Sequence, residues 1–157
     1  MKITLLVVGK TDEPFLKEGI DYYIKRLRHY ADFKLKVIPD VKKNKKYNTE
    51  QQKISEGAKI IAENKHGKEL HLLDEQGKSY SSRDFAEFLE RKMLSGLKEL
   101  IFVIGGPYGF SDEVYKSANS KISLSKMTFS HQLARLLFVE QIYRAFTIIK
   151  GEPYHHD

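Results

Sequence analysis

Apolar and polar positions alternate along this chain in blocks of two lengths. Short apolar runs, such as residues 3–8 and 100–104, are separated by longer stretches in which apolar residues recur with the period of a helix. This alternation is typical of an α/β fold with a mainly parallel sheet and helices on both faces. The 157 residues match the size of one ordinary domain, so we expect residues 1–157 to form a single domain.

Five segments carry a strand pattern, and the patterns differ in the burial they predict. They are Ile3–Val8, Phe33–Ile38, Leu70–Leu73, Leu100–Ile104 and Lys121–Ser125. Leu100–Ile104 is apolar throughout and predicts the centre of the sheet, whereas Phe33–Ile38 alternates apolar residues with Lys and predicts a half-exposed strand. Gly77 is expected to turn the chain after the third strand.

Helix starts are marked by capping residues. Pro14, behind two acidic residues, predicts the start of the first helix, and the spacings of Thr49 to Gln52 and of Ser81 to Asp84 are those of capping boxes. The side chains expected to face inward are Phe15, Ile20, Tyr23, Ile24 and Leu27 on the first helix and Phe85, Phe88, Leu89 and Met93 on the third.

The final helix, predicted over residues 131–150, is apolar on almost every side. A helix of this kind is buried all round, and in so small a domain one side is expected to face another subunit, which predicts a homodimer. Glu140 and Arg144 stand four residues apart on this helix. A simple ion pair across one turn and a part in a functional site both remain open for them.

The charge balance favours a polyanionic partner. Lys and Arg outnumber Asp and Glu by 27 to 21, which gives a formal charge of +6 and a pI near 9.3. The clustered basic residues are Lys34, Lys36, Lys42, Lys43, Lys45 and Lys46 around a predicted loop at 40–48, and Lys25, Arg26, Arg28 and His29 at the end of the first helix. Contact with phosphate and plain solvation of a surface explain these clusters equally well.

Several classes of protein are excluded by what the sequence lacks. Without cysteine, the chain has no thiol nucleophile, disulfide or thiolate metal site. No apolar run reaches the roughly 18 residues of a membrane span and the start lacks a signal peptide, so we expect a soluble cytoplasmic protein. The dinucleotide fingerprint, the phosphate loop and the serine-hydrolase elbow are all missing. His155 and His156 are adjacent and project apart, so no metal site is predicted.

Two segments are candidates for ligand binding. Residues 104–109 take a buried strand into a glycine-rich turn, and ligands of open α/β sheets bind at such strand ends. Residues 124–129 lie between the last strand and the last helix, where backbone groups can hold the edge of a flat ring while Met127 and Phe129 cover its face. A turn without a ligand and a plain connection are the alternatives.

Five segments stand in an order and spacing that is specific only in combination. They are Ile104-Gly105-Gly106-Pro107-Tyr108-Gly109, Leu124-Ser125-Lys126-Met127-Thr128-Phe129, His131, Glu140-Gln141-Ile142-Tyr143-Arg144-Ala145-Phe146 and Gly151-Glu152-Pro153-Tyr154-His155. Together with the opening Met1-Lys2-Ile3 and Val8-Gly9-Lys10, they extend over essentially the whole chain. In this combination the chain resembles the ribosomal RNA large subunit methyltransferase H family, which belongs to the SPOUT class.

The resemblance implies a SPOUT-type fold with a C-terminal trefoil knot, the cofactor S-adenosyl-L-methionine bound in that knot, and an obligate homodimer. No periodicity indicates a knot, and knots are rare among folds in general. The implied cofactor-binding residues are Leu73, Gly105, Leu124, Ser125, Lys126, Met127, Thr128 and Phe129. The implied partner is 23S rRNA in the ribosome, with no role for DNA or a membrane.

The reaction that the resemblance implies is methylation of a pseudouridine in 23S rRNA at N3, on the assembled ribosome. Such an enzyme must align a sulfonium-bound methyl group with the nitrogen, remove the proton of that nitrogen and exclude water. Arg144, His131, Tyr154 and His155 are the implied catalytic residues. Arginine is not normally a base, so Arg144 would position RNA or stabilise developing charge, and the identity of the base remains open.

The chain departs from the family pattern at Ser130, where the family usually has Pro directly before His131. Serine is itself a good helix cap, so the start of the helix is expected to persist, with His131 held at a less rigid angle. Two other functions stay open. One is a non-catalytic RNA- or ribosome-binding module, and the other is a different small-molecule enzyme, although the missing fingerprint argues against a nicotinamide cofactor.

Overall fold

A computed structural model describes residues 1–40 and 48–156 of the chain. Its elements alternate as β1 Lys2–Val8, α1 Pro14–Leu27, β2 Asp32–Ile38, α2 Thr49–Ile61, β3 Lys68–Ser79, α3 Ser82–Leu94, β4 Glu99–Ile104, α4 Asp112–Ser117, β5 Ser120–Ser123 and α5 His131–Ile149. The predicted α/β class is therefore confirmed. The loop predicted over 40–48 lies, with its four lysines, mostly outside the described residues.

The five strands form one sheet in the order β2-β1-β4-β3-β5, and every neighbouring pair is parallel. The central strand is β4, and all six of its residues are buried, as its apolar run predicts. Strand β2 lies at one edge of the sheet. It buries Phe33 and Ile38 and exposes four of its seven residues, which confirms the half-exposed strand. The predicted parallel sheet is thus confirmed with its centre in the expected place.

Side chains of the neighbouring strands β1 and β4 alternate between two cores. Leu5 of β1 and Phe102 of β4 point to the face that α1, α3 and α5 cover, whereas Leu6 and Val103 point to the face that α2 and α4 cover. All four side chains are fully buried. Helices therefore cover both faces of the sheet, as the alternation of the sequence predicts.

Helix α5 is the long final helix that the sequence predicts. Ser130 caps it, because the Ser130 hydroxyl accepts a hydrogen bond of 3.2 Å from the backbone N–H of Leu133. Every residue of α5 is buried or partly buried already in a single copy of the chain. Neither α5 nor any other helix of the described residues is long and apolar enough to cross a membrane.

The prediction that Phe15 faces inward is wrong, since 65% of its surface is exposed. Helix α1 buries Leu16, Ile20 and Leu27, which recur at the four- and seven-residue spacings of one helical face. Phe15 lies one position, or about 100°, off that face and so projects into solvent.

The start of α2 also differs by one residue from the prediction. The cap is Asn48 rather than Thr49, and Gln51 rather than Gln52 completes the capping box. The Asn48 side chain accepts a hydrogen bond of 2.8 Å from the Gln51 backbone, and the Gln51 side chain accepts one of 3.1 Å in return. Asparagine is a slightly better cap than threonine, which accounts for the shift. The predicted box of Ser81 and Asp84 is confirmed.

Gly77 does not turn the chain, because β3 continues through it to Ser79. A Cβ atom at Gly77 would lie 2.5 Å from the backbone nitrogen of Ile122 in β5. The glycine is therefore needed for close approach of two backbones and not for a turn. The register between β3 and β5 shifts within residues 73–78, so the chain leaves the regular ladder at this point.

A buried ionic cluster joins three strands at the amino-terminal edge of the sheet. The Glu99 carboxylate accepts hydrogen bonds from Thr4 at 2.6 Å and Lys68 at 2.7 Å, and Lys2 lies at 3.3 Å. Burial alone raises the pKa of Glu99, but the bonds from Lys68, Thr4 and Lys2 outweigh it and lower this pKa to about 2. The carboxylate therefore stabilises the folded state in its charged form.

We expect Glu99→Gln to lower the free energy of unfolding at pH 7 by about 3 kcal/mol, the value of a pKa lowered from 4.5 to about 2. Above pH 4.5 the whole contribution is present, and it is lost as the pH falls towards 2 and Glu99 becomes protonated in the folded state. Urea unfolding of both proteins between pH 7 and pH 3 measures the difference. A difference that stays constant over this range would contradict the assignment.

Candidate active site

A cleft of about 560 Å³ opens at the carboxyl ends of β4 and β5, beside the point where β3 leaves its pairing with β4. Its walls are residues 73–76 within β3, residues 104–107 and 109–110 at the end of β4 and after it, Tyr115 of α4, residues 124–125 and 127–130 before α5, and His131 and Ala134 of α5. The carboxyl edge of a parallel sheet is where open α/β folds bind their ligands. We therefore take this cleft as the candidate ligand site.

The glycine turn after β4 forms one wall of the cleft. A Cβ atom at Gly105 would lie 3.0 Å from the Phe110 ring, and one at Gly106 would lie 3.1 Å from the Glu56 carboxylate. Gly109, at a φ of +76°, closes the turn by donating its N–H to the Gly106 carbonyl at 3.1 Å. Gly105 and Gly106 are thus needed for close packing of the turn against Phe110 and Glu56, and the close approach of a ligand that the sequence pattern predicts stays a prediction.

The segment before α5 forms the opposite wall. Ser123 donates a hydrogen bond of 2.8 Å to the Ser125 carbonyl, and the Ser125 hydroxyl accepts one of 3.0 Å from the Met127 N–H, so the segment is folded on itself. Met127 is 75% exposed and Phe129 is 37% exposed beside the cleft. Of the cofactor residues predicted from the sequence, Leu73, Gly105, Leu124, Ser125, Met127, Thr128 and Phe129 line the cleft, and Lys126 does not.

Two carboxylates of the cleft were missed by the sequence reasoning. Asp74 and Glu75 lie in the interval 73–78, where β3 shifts register with β5, and both line the cleft. Asp74 accepts a hydrogen bond of 2.5 Å from the Tyr115 hydroxyl, and Glu75 accepts one of 2.7 Å from the Thr128 hydroxyl. The predicted third strand ended just before them, and an acidic pair behind a strand carries no signal of its own.

The charge of the cleft is opposite to that of the whole chain. Asp74 and Glu75 line it, and no Lys or Arg does so among the residues that the structure describes, although the chain has a formal charge of +6. Burial and the hydrogen bond to Asp74 raise the pKa of Tyr115, which keeps its phenol neutral. The described lining therefore has two carboxylates and no Lys or Arg to balance them.

His131 meets the cleft at the first turn of α5. Burial, helped by the nearby guanidinium of Arg135, lowers the pKa of His131, so its imidazole is neutral at neutral pH. Arg135 is itself fully buried and donates hydrogen bonds to the carbonyls of Val8 and Gly9 at 2.7 and 2.9 Å and to the Thr11 hydroxyl at 3.1 Å. These bonds fix the start of α5, and with it His131, against the end of β1.

The other three predicted catalytic residues form a separate cluster near the end of α5. Arg144 donates two hydrogen bonds to one oxygen of Glu140, at 3.1 and 2.6 Å, so the predicted pair across one turn is present. Tyr154 donates to the same oxygen at 3.1 Å, and His155 Nδ1 lies 3.4 Å from the Arg144 guanidinium. The C-terminal tail thus folds back onto α5 and brings Arg144, Tyr154 and His155 together.

Aromatic side chains enclose this cluster. The Tyr154 ring packs 4.8 Å from the Tyr143 ring, and its hydroxyl lies 3.3 Å from that of Tyr23. Burial, Tyr23 and the charge of Glu140 raise the pKa of Tyr154, so its phenol stays protonated. Arg26, for which contact with phosphate and plain solvation were both open from the sequence, donates a hydrogen bond of 3.0 Å to Tyr143 and belongs to the same cluster. Nothing in the helical pattern distinguishes it from its basic neighbours.

One copy of the chain does not bring the four predicted catalytic residues to one place. His131 and Arg144 are thirteen residues apart on the continuous helix α5. At about 1.5 Å per residue, this spacing separates them by about 20 Å along the helix. The cleft with His131 and the cluster with Arg144 are therefore two distinct groups on each copy.

Fold and cleft together are those of an α/β protein with a candidate ligand site at the carboxyl edge of a parallel sheet. The family model described as "Predicted SPOUT methyltransferase" matches residues 1–155. The chain belongs to this family of SPOUT methyltransferases. Its recognition as a methyltransferase from the motifs of the sequence is thus confirmed.

Three curated relatives are similar to this chain over nearly their full length, and each is named Ribosomal RNA large subunit methyltransferase H. The relative from Christiangramia forsetii is 56% identical over 99% of both chains. Those from Parabacteroides distasonis and Porphyromonas gingivalis are 55% and 53% identical over 100% of both chains.

A solved structure supports the fold independently of these relatives. It is that of a probable methylase family protein from Haemophilus influenzae, to which this chain is similar with a TM-score of 0.52 and 12% sequence identity. The match covers 99% of this chain and 70% of the other one. At this identity the similarity bears on the fold alone.

We expect Ser130→Ala to lower the free energy of unfolding by about 1 kcal/mol, because it leaves the Leu133 N–H of α5 without its cap. Ser130→Thr keeps a capping hydroxyl and is expected to unfold within a few tenths of a kcal/mol of the parent. Urea unfolding followed by circular dichroism measures both. Equal stability of the two variants would show that the cap contributes nothing.

Proposed function

We propose that this chain transfers a methyl group from S-adenosyl-L-methionine to N3 of a pseudouridine in 23S rRNA, on the assembled ribosome in the bacterial cytoplasm. The names of the curated relatives support the ribosomal RNA as substrate. The basic surface of the chain, with a formal charge of +6, suits a polyanionic partner. The observation that carries the cofactor assignment is the negative charge of the cleft.

That charge distinguishes between two kinds of cofactor. S-adenosyl-L-methionine carries a sulfonium and an ammonium group against one carboxylate, so it is a cation. A nicotinamide dinucleotide carries a diphosphate, which would meet Asp74 and Glu75 and no Lys or Arg of the described lining. The lining therefore fits the methyl donor and argues against the nicotinamide alternative.

The proposed binding mode follows from the two walls of the cleft. The backbone of the turn at Gly105 and of residues 124–129 would hold the polar edge of adenine, with Met127 and Phe129 on its face. The bound cofactor supplies a methyl group made electrophilic by a positively charged sulfur. The trefoil knot of SPOUT proteins is part of this proposal and stays a prediction.

The roles of the catalytic candidates follow from their protonation. His131 lines the cleft as a neutral imidazole and is the candidate to take the proton from N3. The deprotonated N3 would then be the nucleophile for the methyl group that the cofactor supplies, with the electron pair of the carbon–sulfur bond going to sulfur. Tyr154 keeps its proton and Arg144 its charge, so they are suited to donate hydrogen bonds to the base and its developing negative charge.

The distance between cleft and cluster supports a homodimer with shared sites. About 20 Å separates His131 from Arg144 along α5, so we propose that the cluster of one copy completes the cleft of the other. Helix α5 also keeps leucines such as Leu133 and Leu137 only partly buried in a single copy. A second copy would cover such a surface.

The competing function is an RNA- or ribosome-binding module that keeps the fold without catalysis. A cleft of about 560 Å³ at the carboxyl edge of the sheet is not needed for that function. Calorimetric titration of the protein with S-adenosyl-L-methionine distinguishes the two functions. Absence of binding, also in the presence of ribosomes, would support the module.

Removing residues 154–157 is expected to abolish methyl transfer to ribosomes isolated from a strain that lacks this protein. The reason is that the deletion removes Tyr154 and His155 from the cluster but leaves every residue that lines the cleft. Mass spectrometry of 23S rRNA fragments measures the transfer, and calorimetry should show nearly unchanged affinity for S-adenosyl-L-methionine. Full activity of the truncated protein would overturn the role of the tail.

Mixed dimers test whether the sites are shared. One copy carries Gly105→Val, which places a side chain against Phe110 and fills the cleft wall, and the other carries Arg144→Ala. Each variant alone is expected to be inactive. In the mixed dimer one site combines the two intact parts, so about half of the parent activity per dimer should return.

Two differently tagged copies, purified together after co-expression, give the mixed dimer. Circular dichroism of each variant checks that it folds. If the mixed dimer is as inactive as each variant alone, cleft and cluster act within one copy. The shared site would likewise be excluded if the active protein were a monomer in solution.

A further inference from the structure

Two features of the cleft are unusual for a protein with a basic surface. Its described lining includes two carboxylates, Asp74 and Glu75, and neither Lys nor Arg. Each carboxylate is held by a hydroxyl from another wall, since Tyr115 of α4 donates to Asp74 at 2.5 Å and Thr128 donates to Glu75 at 2.7 Å. These hydrogen bonds hold both carboxylates at the cleft, where Asp74 is partly buried and Glu75 is exposed to solvent.

The methyl donor and the product that remains of it after the transfer differ mainly in charge. S-adenosyl-L-methionine has a positive sulfur, and S-adenosylhomocysteine, which remains after transfer, has a neutral thioether with one methyl group less. An apolar pocket distinguishes one methyl group only weakly. Fixed carboxylates distinguish a cation from its neutral counterpart through the Coulomb interaction, which acts over several ångströms.

We infer that Asp74 and Glu75 make the cleft selective for the cationic methyl donor over its product, which has lost the sulfonium charge and has no net charge. The inference rests on the proposed function, since it assigns the donor to this cleft. The carboxylates are specificity-determining residues and take no part in the transfer itself. When the positive charge of sulfur is lost in the reaction, their attraction to the ligand in the cleft falls, which favours release of the product.

The same reasoning predicts where the effect is seen in the kinetics. An attraction that is strongest for the unreacted cation is ground-state binding, so it lowers KM and does not raise kcat. Removing the carboxylates is therefore expected to raise KM for the donor and to make inhibition by the product relatively stronger. Glu75 is exposed, so part of its effect should be screened by salt.

The experiment compares three ligands on the parent protein and on the double variant Asp74→Asn, Glu75→Gln. Calorimetry gives the dissociation constants of S-adenosyl-L-methionine, of S-adenosylhomocysteine, and of sinefungin, in which an amine-bearing carbon replaces the sulfonium. The ratio of product to donor dissociation constants is expected to fall about tenfold in the double variant, and sinefungin should weaken together with the donor.

Two controls separate the charge of these residues from other effects. The double variant Glu87→Gln, Glu90→Gln makes the same change of formal charge on the exposed face of α3 and should leave the ratio unchanged. The variant Tyr115→Phe keeps both carboxylates and removes the hydroxyl that donates a hydrogen bond to Asp74. Because it preserves the charge, it should preserve most of the selectivity even where it weakens both ligands.

The outcomes distinguish this inference from the proposed function. If the parent protein binds none of the three ligands, the proposed function fails. If it binds the donor and the double variant weakens donor and product equally, only the inference is overturned. Should the double variant not fold, Glu75→Gln alone serves, with an expected fall of about threefold that disappears at high salt. An unchanged ratio in that folded variant at low salt would also overturn the inference.

Discussion

Arg135 is a charged side chain that is fully buried, and all of its hydrogen bonds go to the stretch from Val8 to Thr11. Within the described residues its Nε has no partner and its guanidinium has no carboxylate at bonding distance. Burying a guanidinium without a carboxylate partner costs several kcal/mol. The role of Arg135 is therefore to connect α5 to the segment from Val8 to Thr11. From the second turn of α5, it attaches the start of this helix to the end of β1, and the position of His131 at the cleft depends on that attachment.

With its start fixed in this way, α5 determines the layout of everything that follows. The helix carries His131 at the cleft and Arg144 about 20 Å further along, where the tail folds back as far as His155. A rigid helix of this length cannot bring its two ends to one ligand. The separation of cleft and cluster is thus a consequence of regular helix geometry, and it is the reason why the proposed reaction includes a second copy of the chain.

The parts of the molecule that follow from periodicity could be predicted from the sequence, and those that depend on approach between distant strands could not. The apolar run of β4 indicates its central place, because only burial on both faces tolerates such a run. A glycine in the sequence is compatible both with a turn and with the close approach of another backbone. At Gly77 the structure shows the close approach of β5 and not the predicted turn. That error ended β3 too early and hid Asp74 and Glu75, whose role follows from Tyr115 and the segment 124–130 lying opposite them.

The cleft and the surface of this small domain would hold ligands of opposite charge. A formal charge of +6 attracts a polyanion and by itself repels a cation. At physiological ionic strength, however, exposed charges further away than about 8 Å are largely screened, so a ligand in the cleft responds mainly to the groups that line it. Asp74 and Glu75 line the cleft and the described Lys and Arg residues do not. The net charge of the chain therefore bears on its macromolecular partner, while the lining decides which small molecule is bound.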